Sequence, residues 1–413
     1  MDMSFANLLG VMAVAFCAPL ALGFFPRFRI PSVVIELTLG IILGPAVLDL
    51  LHVDDVVTVM STLGLSFLLF MAGLELDFSV LRGRYLRLAT TGFIASLVLA
   101  VIANLALYGA GLVLSPLLVA IALSSTSVGI VIPILKDAEQ EDSEVGRLVV
   151  ANSSIAEFMT VALLAVFFST EGKSVASQLA VLGVFAGLGL GLFIGLVRLW
   201  HQMGYLAVLN RLKDTTAQLR IRAAIMILLA AVVLAGHFGL ETVLGAFMAG
   251  AILSVLHRGW ADDPEVFRTK LSAIAFGFFV PVFFVTSGLQ FDLDALFQSP
   301  STLLRVPLYL GLLLMVRGLP ALLYRSSLDR LETWSAALLQ ATSLSFILVA
   351  VGIGRELHKI TAATGAALTC AALFSVLLFP AGALGLLRRR ARSMPSEMGR
   401  EAQVPMEPDT DLA

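Results

Sequence analysis

The stretch LVVANSSIAEFMTVALLAVFF, from Leu148 to Phe168, decides how the chain is read, because it is long enough to cross a bilayer and carries a carboxylate near its middle. At ~1.5 Å per helical residue it covers the ~30 Å hydrocarbon core, which puts Glu157 close to the midplane. An ionisable side chain at that depth costs at least ~2.5 kcal/mol, so it marks a functional position unless it is a protonated group hydrogen-bonded to a neighbouring helix as packing glue. Asn152, Ser153 and Ser154 add polar side chains in the adjoining turns. The combination suits a small cation or a proton.

The rest of the chain agrees with a membrane reading. Of 413 residues, 59% are apolar and 14% charged, with a mean hydropathy of +0.96; soluble domains carry roughly 25% charged residues. The apolar runs are solid rather than alternating, so the expected fold is an all-α polytopic membrane protein rather than a barrel. A net charge of -2 says nothing about partners. Cys17 and Cys370 lie in apolar runs without metal-ligand spacing, so they are expected as buried reduced thiols. No cofactor, enzyme chemistry or nucleic-acid partner is expected, and no metal beyond a transported monovalent cation. The N-terminal MDMSFANLL lacks a basic n-region and cleavage site, so the first run is read as a retained helix.

About thirteen hydrophobic segments follow one another: 6–24, 31–49, 56–75, 88–108, 114–135, 148–168, 177–197, 221–236, 239–255, 271–289, 303–323, 333–353 and 361–386. Most of the 27 Lys and Arg fall in the loops on one side if the C-terminus is cytoplasmic. This predicts a multi-pass protein of the cell inner membrane, N-terminus outside, C-terminus inside. The basic stretch 198–220 is the expected junction between halves. Residues 388–413 read as a disordered cytoplasmic tail whose Arg cluster stops at anionic headgroups.

An internal repeat sharpens the architecture. FLLFMAGLELDFSVL at 67–81 reads against VFFVTSGLQFDLDAL at 282–296, setting Gly73 on Gly288 and Asp77 on Asp292. An odd number of crossings separates the copies, so the repeat is inverted in topology, as in many secondary transporters. At nearly the same offset, AIALSSTSVGIV at 120–131 lies over ALLQATSLSFIL at 337–348. Ser124, Ser125, Thr126, Ser127 and Gly129 in one, with Gln340, Thr342, Ser343 and Ser345 in the other, are what helices broken at mid-membrane require. Small-residue packing interfaces are the other reading of either stretch alone. Matched positions in two inverted halves favour two crossed discontinuous helices, whose broken ends offer amides and carbonyls to an ion.

Three ionisable residues lie well inside segments: Glu36, Glu157 and Arg317. Arg317 cannot shuttle protons, because guanidinium keeps its charge in proteins; it either snorkels to the interface or offsets negative charge at the helix crossing. Glu36 is expected at a packing or interface position, with a secondary part in transport as the alternative. Glu75, Asp77 and Glu241 stand at segment ends and are expected to be water-solvated. A carboxylate in a partly wet cavity can hold a proton or a desolvated alkali cation, but not both. Glu157, with Ser153, Asn152, Ser125 and Thr126 and broken-helix carbonyls, supplies the oxygen ligands a hard cation prefers. Arg317, Ser343 and Gln340 are expected to brace the crossing.

Taken together, IPSVVIELTLGIILGP at 30–45, LGLSFLLFMAGLELD at 63–77, ALSSTSVGIVIPILKD at 122–137, LGAFMAGAIL at 244–253 and PVFFVTSGLQFD at 281–292 resemble the membrane domain of the monovalent cation:proton antiporter family 2, which includes the Kef-type potassium efflux systems and the NapA-type sodium/proton antiporters. The resemblance covers about residues 5–387. It implies a sodium/proton antiporter fold in a transmembrane domain of residues 1–387, with scaffold and dimer helices at 6–75 and 221–289, core helices at 88–168 and 303–386, and a linker helix at 177–197. It also implies a homodimer and elevator-type alternating access. Family members often carry Asp-Asp or Asn-Asp in the sixth helix and Lys in the eleventh; this chain has Ala156-Glu157 and Arg317. Those departures favour electroneutral exchange of Na⁺ or K⁺ for H⁺. A sodium-coupled organic solute symporter of related fold, and a non-transporting membrane sensor, are the alternatives.

Overall fold

The computed structural model describes residues 5–24, 31–76, 83–168, 218–238, 240–260 and 264–393, with the isolated helical glycines 183, 187, 191 and 195. The rest of the expected linker 177–197, the junction up to residue 217, Asp77 and the tail beyond Ser393 lie outside the described residues. What is described is helical. Ten helices are long and apolar enough to cross a membrane, and two shorter apolar ones, Ser32–Leu43 and Thr242–Val255, stand at the second and ninth expected segments. The count of thirteen crossings remains an expectation, because the seventh segment is outside the description.

Two packed groups of helices make up the molecule. The first contains α1 (Ala6–Phe24), α2 (Ser32–Leu43), α3 (Asp55–Leu74), α8 (Leu219–His237), α9 (Thr242–Trp260), α10 (Pro264–Ile274) and α11 (Val280–Leu289), the last two joined by a π-helical turn at Ala275–Phe279. The short α12 (Leu293–Phe297) leads out of it. The second contains α4 (Gly83–Gly109), α5 (Pro116–Leu123), α6 (Val128–Asp137), α7 (Glu144–Phe167), α13 (Pro300–Leu313), α14 (Arg330–Gln340), α15 (Ser345–Glu356) and α16 (Ala362–Ser393).

Helix starts are written in the sequence. Asp54 caps α3 by accepting from the Val57 amide at 2.9 Å, and Asn7 Nδ2 donates to its other oxygen at 3.0 Å, tying α1 to that start. Ser143 caps α7, and Asp329 with Glu332 forms a reciprocal capping box on α14.

Glycine sets the packing of the first group, and it does so twice. Gly73 of α3 and Gly250 of α9 let these helices touch backbone to backbone: a Cβ on Gly73 would collide with the Phe247 carbonyl, and one on Gly250 with the Phe70 carbonyl. Gly40 of α2 and Gly288 of α11 repeat the arrangement against the Val285 and Leu37 carbonyls. The sequence repeat that aligns Gly73 with Gly288 is thus visible as two equivalent close helix pairs. In lipid, where apolar surface gains little by pairing, such close approach supplies the association energy.

The second group holds the two interruptions. Ser124–Ser127 separates α5 from α6, and Ala341–Leu344 separates α14 from α15. The breaks face each other: the Ser127 amide donates to the Thr342 carbonyl at 3.0 Å, and Ser127 Oγ accepts from the Leu344 and Ser345 amides at 2.9 and 3.3 Å. Some of the backbone groups freed by each break are thus satisfied by the other, as burial in a membrane protein demands.

Two expectations need correction. The final helix does not stop at residue 387 but continues to Ser393, because Arg390 pairs with both carboxylates of the α14 capping box, Asp329 and Glu332, and so fastens the basic segment to the helix bundle. Cys17 is exposed rather than buried, since α1 buries only one face; Cys370 is partly buried, and both thiols are free.

Candidate functional site

Glu157 lies in the middle of α7, 2% exposed. Its Oε1 accepts from the Val128 amide at 2.6 Å, the first residue of α6. The positive end of a half-helix therefore points at the carboxylate, the arrangement by which helix N-termini hold anionic groups. Its Oε2 has no protein partner. Ser153 Oγ and Thr160 Oγ1, one turn to either side on the same helix face, are likewise buried without partners. Three unspent oxygens thus line one stripe of α7.

The other expected ligands are hydrogen-bonded elsewhere. Ser125 Oγ pairs with Ser343 Oγ at 2.7 Å and donates to the Ala122 carbonyl. Thr126 Oγ1 donates to the Gln340 carbonyl at 2.6 Å and accepts from Arg317 Nε at 2.9 Å. Asn152 Oδ1 accepts from Arg317 Nη2 at 2.5 Å. The structure therefore divides the expected set: Ser153 accompanies Glu157, whereas Ser125, Thr126 and Asn152 hold the crossing together. Gln340 reaches Tyr324 OH through Nε2 at 2.9 Å, and Ser375 of α16 braces the second break by bonding both the amide and the carbonyl of Ser343.

Arg317 is fully buried and does not snorkel. It sits in a π-helical turn, Leu314–Gly318, that follows α13. The wider turn re-aims its side chain inward, and its third contact, Nη1 to Ser96 Oγ at 3.1 Å, lies on α4. One guanidinium thus ties together α4, α7 and the first break. Gly92, one turn before Ser96, leaves room for Asn152, whose Nδ2 a Cβ there would crowd.

Two cavities lie between the helix groups. The larger, about 980 Å³, is lined by Ser32, Glu75, Gly129, Pro133, Phe276 and Arg388, among others. A smaller space of about 50 Å³ shares Glu75, Gly129 and Phe276 with it and is also lined by Glu157 and Ser345. The shared lining sets the two side by side, with Glu75 on the wall of both and Glu157 on the wall of the smaller. Glu75 was expected to be a solvated helix end; instead its Oε2 is buried without a protein partner, and the residue lines both cavities. A signal existed in the repeat: Glu75 aligns with Gln290, so only the first copy carries charge there. Thr160 was legible too, three residues beyond Glu157, but Ser375 had no local sign. Glu36 is 4% exposed in α2 and lines neither cavity. Glu241, just before α9, is partly buried rather than water-solvated, and burial with the nearby Glu356 charge pushes its pKa up to about 7.

Comparison with known proteins places this geometry. The transmembrane sodium/hydrogen exchanger family matches residues 12–386. The chain belongs to the sodium/hydrogen exchanger family. Among relatives of this chain, the putative Na⁺/H⁺ antiporter YjbQ of Bacillus subtilis is 29% identical over 91% of the chain; the chain spans 62% of that relative's length. The Na⁺/H⁺-K⁺ antiporter GerN of Bacillus cereus is 28% identical over 65% of the chain and 68% of its own length. The solved structure of the sodium proton antiporter MjNhaP1 from Methanocaldococcus jannaschii superposes with a TM-score of 0.68 over 93% of this chain and 98% of that one, at 18% identity, so the fold is shared. The resemblance read from the sequence motifs holds at the level of the family.

Proposed function

We propose that this exchanger is a secondary-active Na⁺ or K⁺/H⁺ antiporter in which the proton and the cation compete for Glu157. The observation that carries this reading is a buried carboxylate with one oxygen fixed by the Val128 amide and the other without a protein partner, on the wall of a cavity that Glu75 also lines. Protonated, Glu157 is neutral and tolerates its dry site. Deprotonated, it needs a counter-charge, which an alkali cation supplies with Ser153 and Thr160 hydroxyls and Glu75 as further oxygens. Names and folds of the relatives support the same chemistry.

Exchange requires the loaded site to face each side in turn. The cavity separating the two helix groups supports an elevator movement of the second group, which holds the breaks and Glu157, against the first. Arg317 has three hydrogen bonds into its own group, so it travels with the site as a fixed charge. With Glu157 the single titrating group, one positive charge moves each way and exchange is electroneutral. The setting is a homodimer in a bacterial-type inner membrane, N-terminus outside and C-terminus in the cytoplasm.

Purified protein in liposomes with an internal pH dye, challenged in turn with Na⁺, K⁺ and Li⁺, tests the reading. Cation-driven proton movement is expected. Cation-dependent uptake of an organic solute without it would point to a symporter, and neither would point to a sensor.

A further inference from the structure

The larger cavity is lined by both Arg388 and Glu75, and Glu75 also lines the smaller space beside Glu157, so a cation that takes this path to Glu157 comes under the Arg388 charge on its way. Arg388 is held there: α16 remains helical through it, and two residues on, Arg390 is fastened to Asp329 and Glu332. Among the described residues no carboxylate forms a salt bridge with Arg388. Arg388 and its neighbour Arg389 are both exposed, but only Arg388 lines the cavity.

The geometry points to Arg388 as an electrostatic gatekeeper that holds down the apparent affinity for the transported cation on the side where the path opens. A unit charge ~10 Å from the ion in water changes local cation concentration about twofold, and the influence reaches ~30 Å at 0.01 M salt but only ~8 Å at 0.15 M. The effect belongs to entry, so it changes KM and leaves the maximal rate alone. This rests on the antiport reading above.

The test uses the full chain in everted membrane vesicles, with the cation added to the face bearing the C-terminal basic segment and proton movement followed by dye. At low ionic strength, Arg388→Gln should lower KM for Na⁺, or for K⁺ if that is the ion carried, by about twofold, and Arg388→Glu by about fourfold. Arg388→Lys should match the unaltered protein, and Arg389→Gln should lower KM less than Arg388→Gln does, because its charge stands farther from the cavity. Choline chloride at ~0.15 M should merge all the curves, the unaltered KM falling toward that of the variants. An unchanged KM in Arg388→Gln and Arg388→Glu while exchange persists, or an equal drop in Arg389→Gln, overturns the gatekeeper alone. No cation-driven proton movement in the unaltered protein overturns the antiport reading and this inference with it.

Discussion

Glu157 and Arg317 are both ionisable groups buried within the second helix group, yet their surroundings assign them opposite tasks. Glu157 keeps one oxygen unspent and borders a cavity, whereas Arg317 spends its donors on Thr126, Ser96 and Asn152. Glu157→Gln preserves shape and a carbonyl ligand but cannot take up a proton. It should reduce exchange below about a tenth of the unaltered rate, a barrier increase above ~1.4 kcal/mol, with normal amounts of folded protein in the membrane. Retention of more than that fraction in the pH-dye assay would remove Glu157 as the shared site. Arg317→Ala should lower thermal stability in detergent, because it leaves three buried acceptors without a donor at ~1–3 kcal/mol each. Arg317→Lys should be milder, since it keeps the charge but loses the planar fork. Equal melting temperatures for the alanine variant and the unaltered protein would show that this network carries no stability.

At the level of helices, glycine and serine act where the chain must approach itself closely. Gly250 of α9 meets the Phe70 carbonyl, while Gly352 of α15 has open space where a Cβ would stand. Gly→Ala in an open helix gains up to ~1 kcal/mol from helix propensity. Gly352→Ala should therefore leave the melting temperature unchanged or raise it, and Gly250→Ala should lower it by forcing α3 and α9 apart. A rise at both positions would mean that the α3–α9 contact is not close in the membrane. The repeat made the Gly73 and Gly288 positions legible, but their partners Gly250 and Gly40 are separated from them by long stretches of sequence. The broken helices were legible for a related reason: runs of Ser and Thr in two matched apolar segments have few other uses. Which hydroxyls would stay free for an ion was not legible, because that depends on which backbone groups of the opposite break need partners.

For the molecule as a whole, the sharpest expectation concerns charge. Ala156 leaves no carboxylate beside Glu157, and Arg317 stays charged, so a cycle titrating Glu157 alone carries no net charge. Exchange in liposomes should then be insensitive to an imposed membrane potential, although one net charge would respond by ~2.3 kcal/mol per 100 mV. Acceleration or reversal with the sign of the potential, with leak controlled, would show a second titrating group. The sequence would name Glu36 first; the structure names Glu75, because Glu75 lines the cavity beside Glu157 and Glu36 does not.

Hydropathy, loop charge and the inverted repeat were enough to determine a helical membrane protein with a mid-span carboxylate, because the bilayer imposes its length and polarity limits on each segment separately. Tertiary structure alone decided that Glu75 shares a cavity with Glu157, that Asn152 and Thr126 serve Arg317, and that Arg388 lines the larger cavity beside it. Those facts depend on how far apart helices from distant parts of the chain sit and which way their side chains turn. Periodicity within one segment carries no record of its neighbours, so only packing could settle which polar groups found partners and which were left facing a cavity.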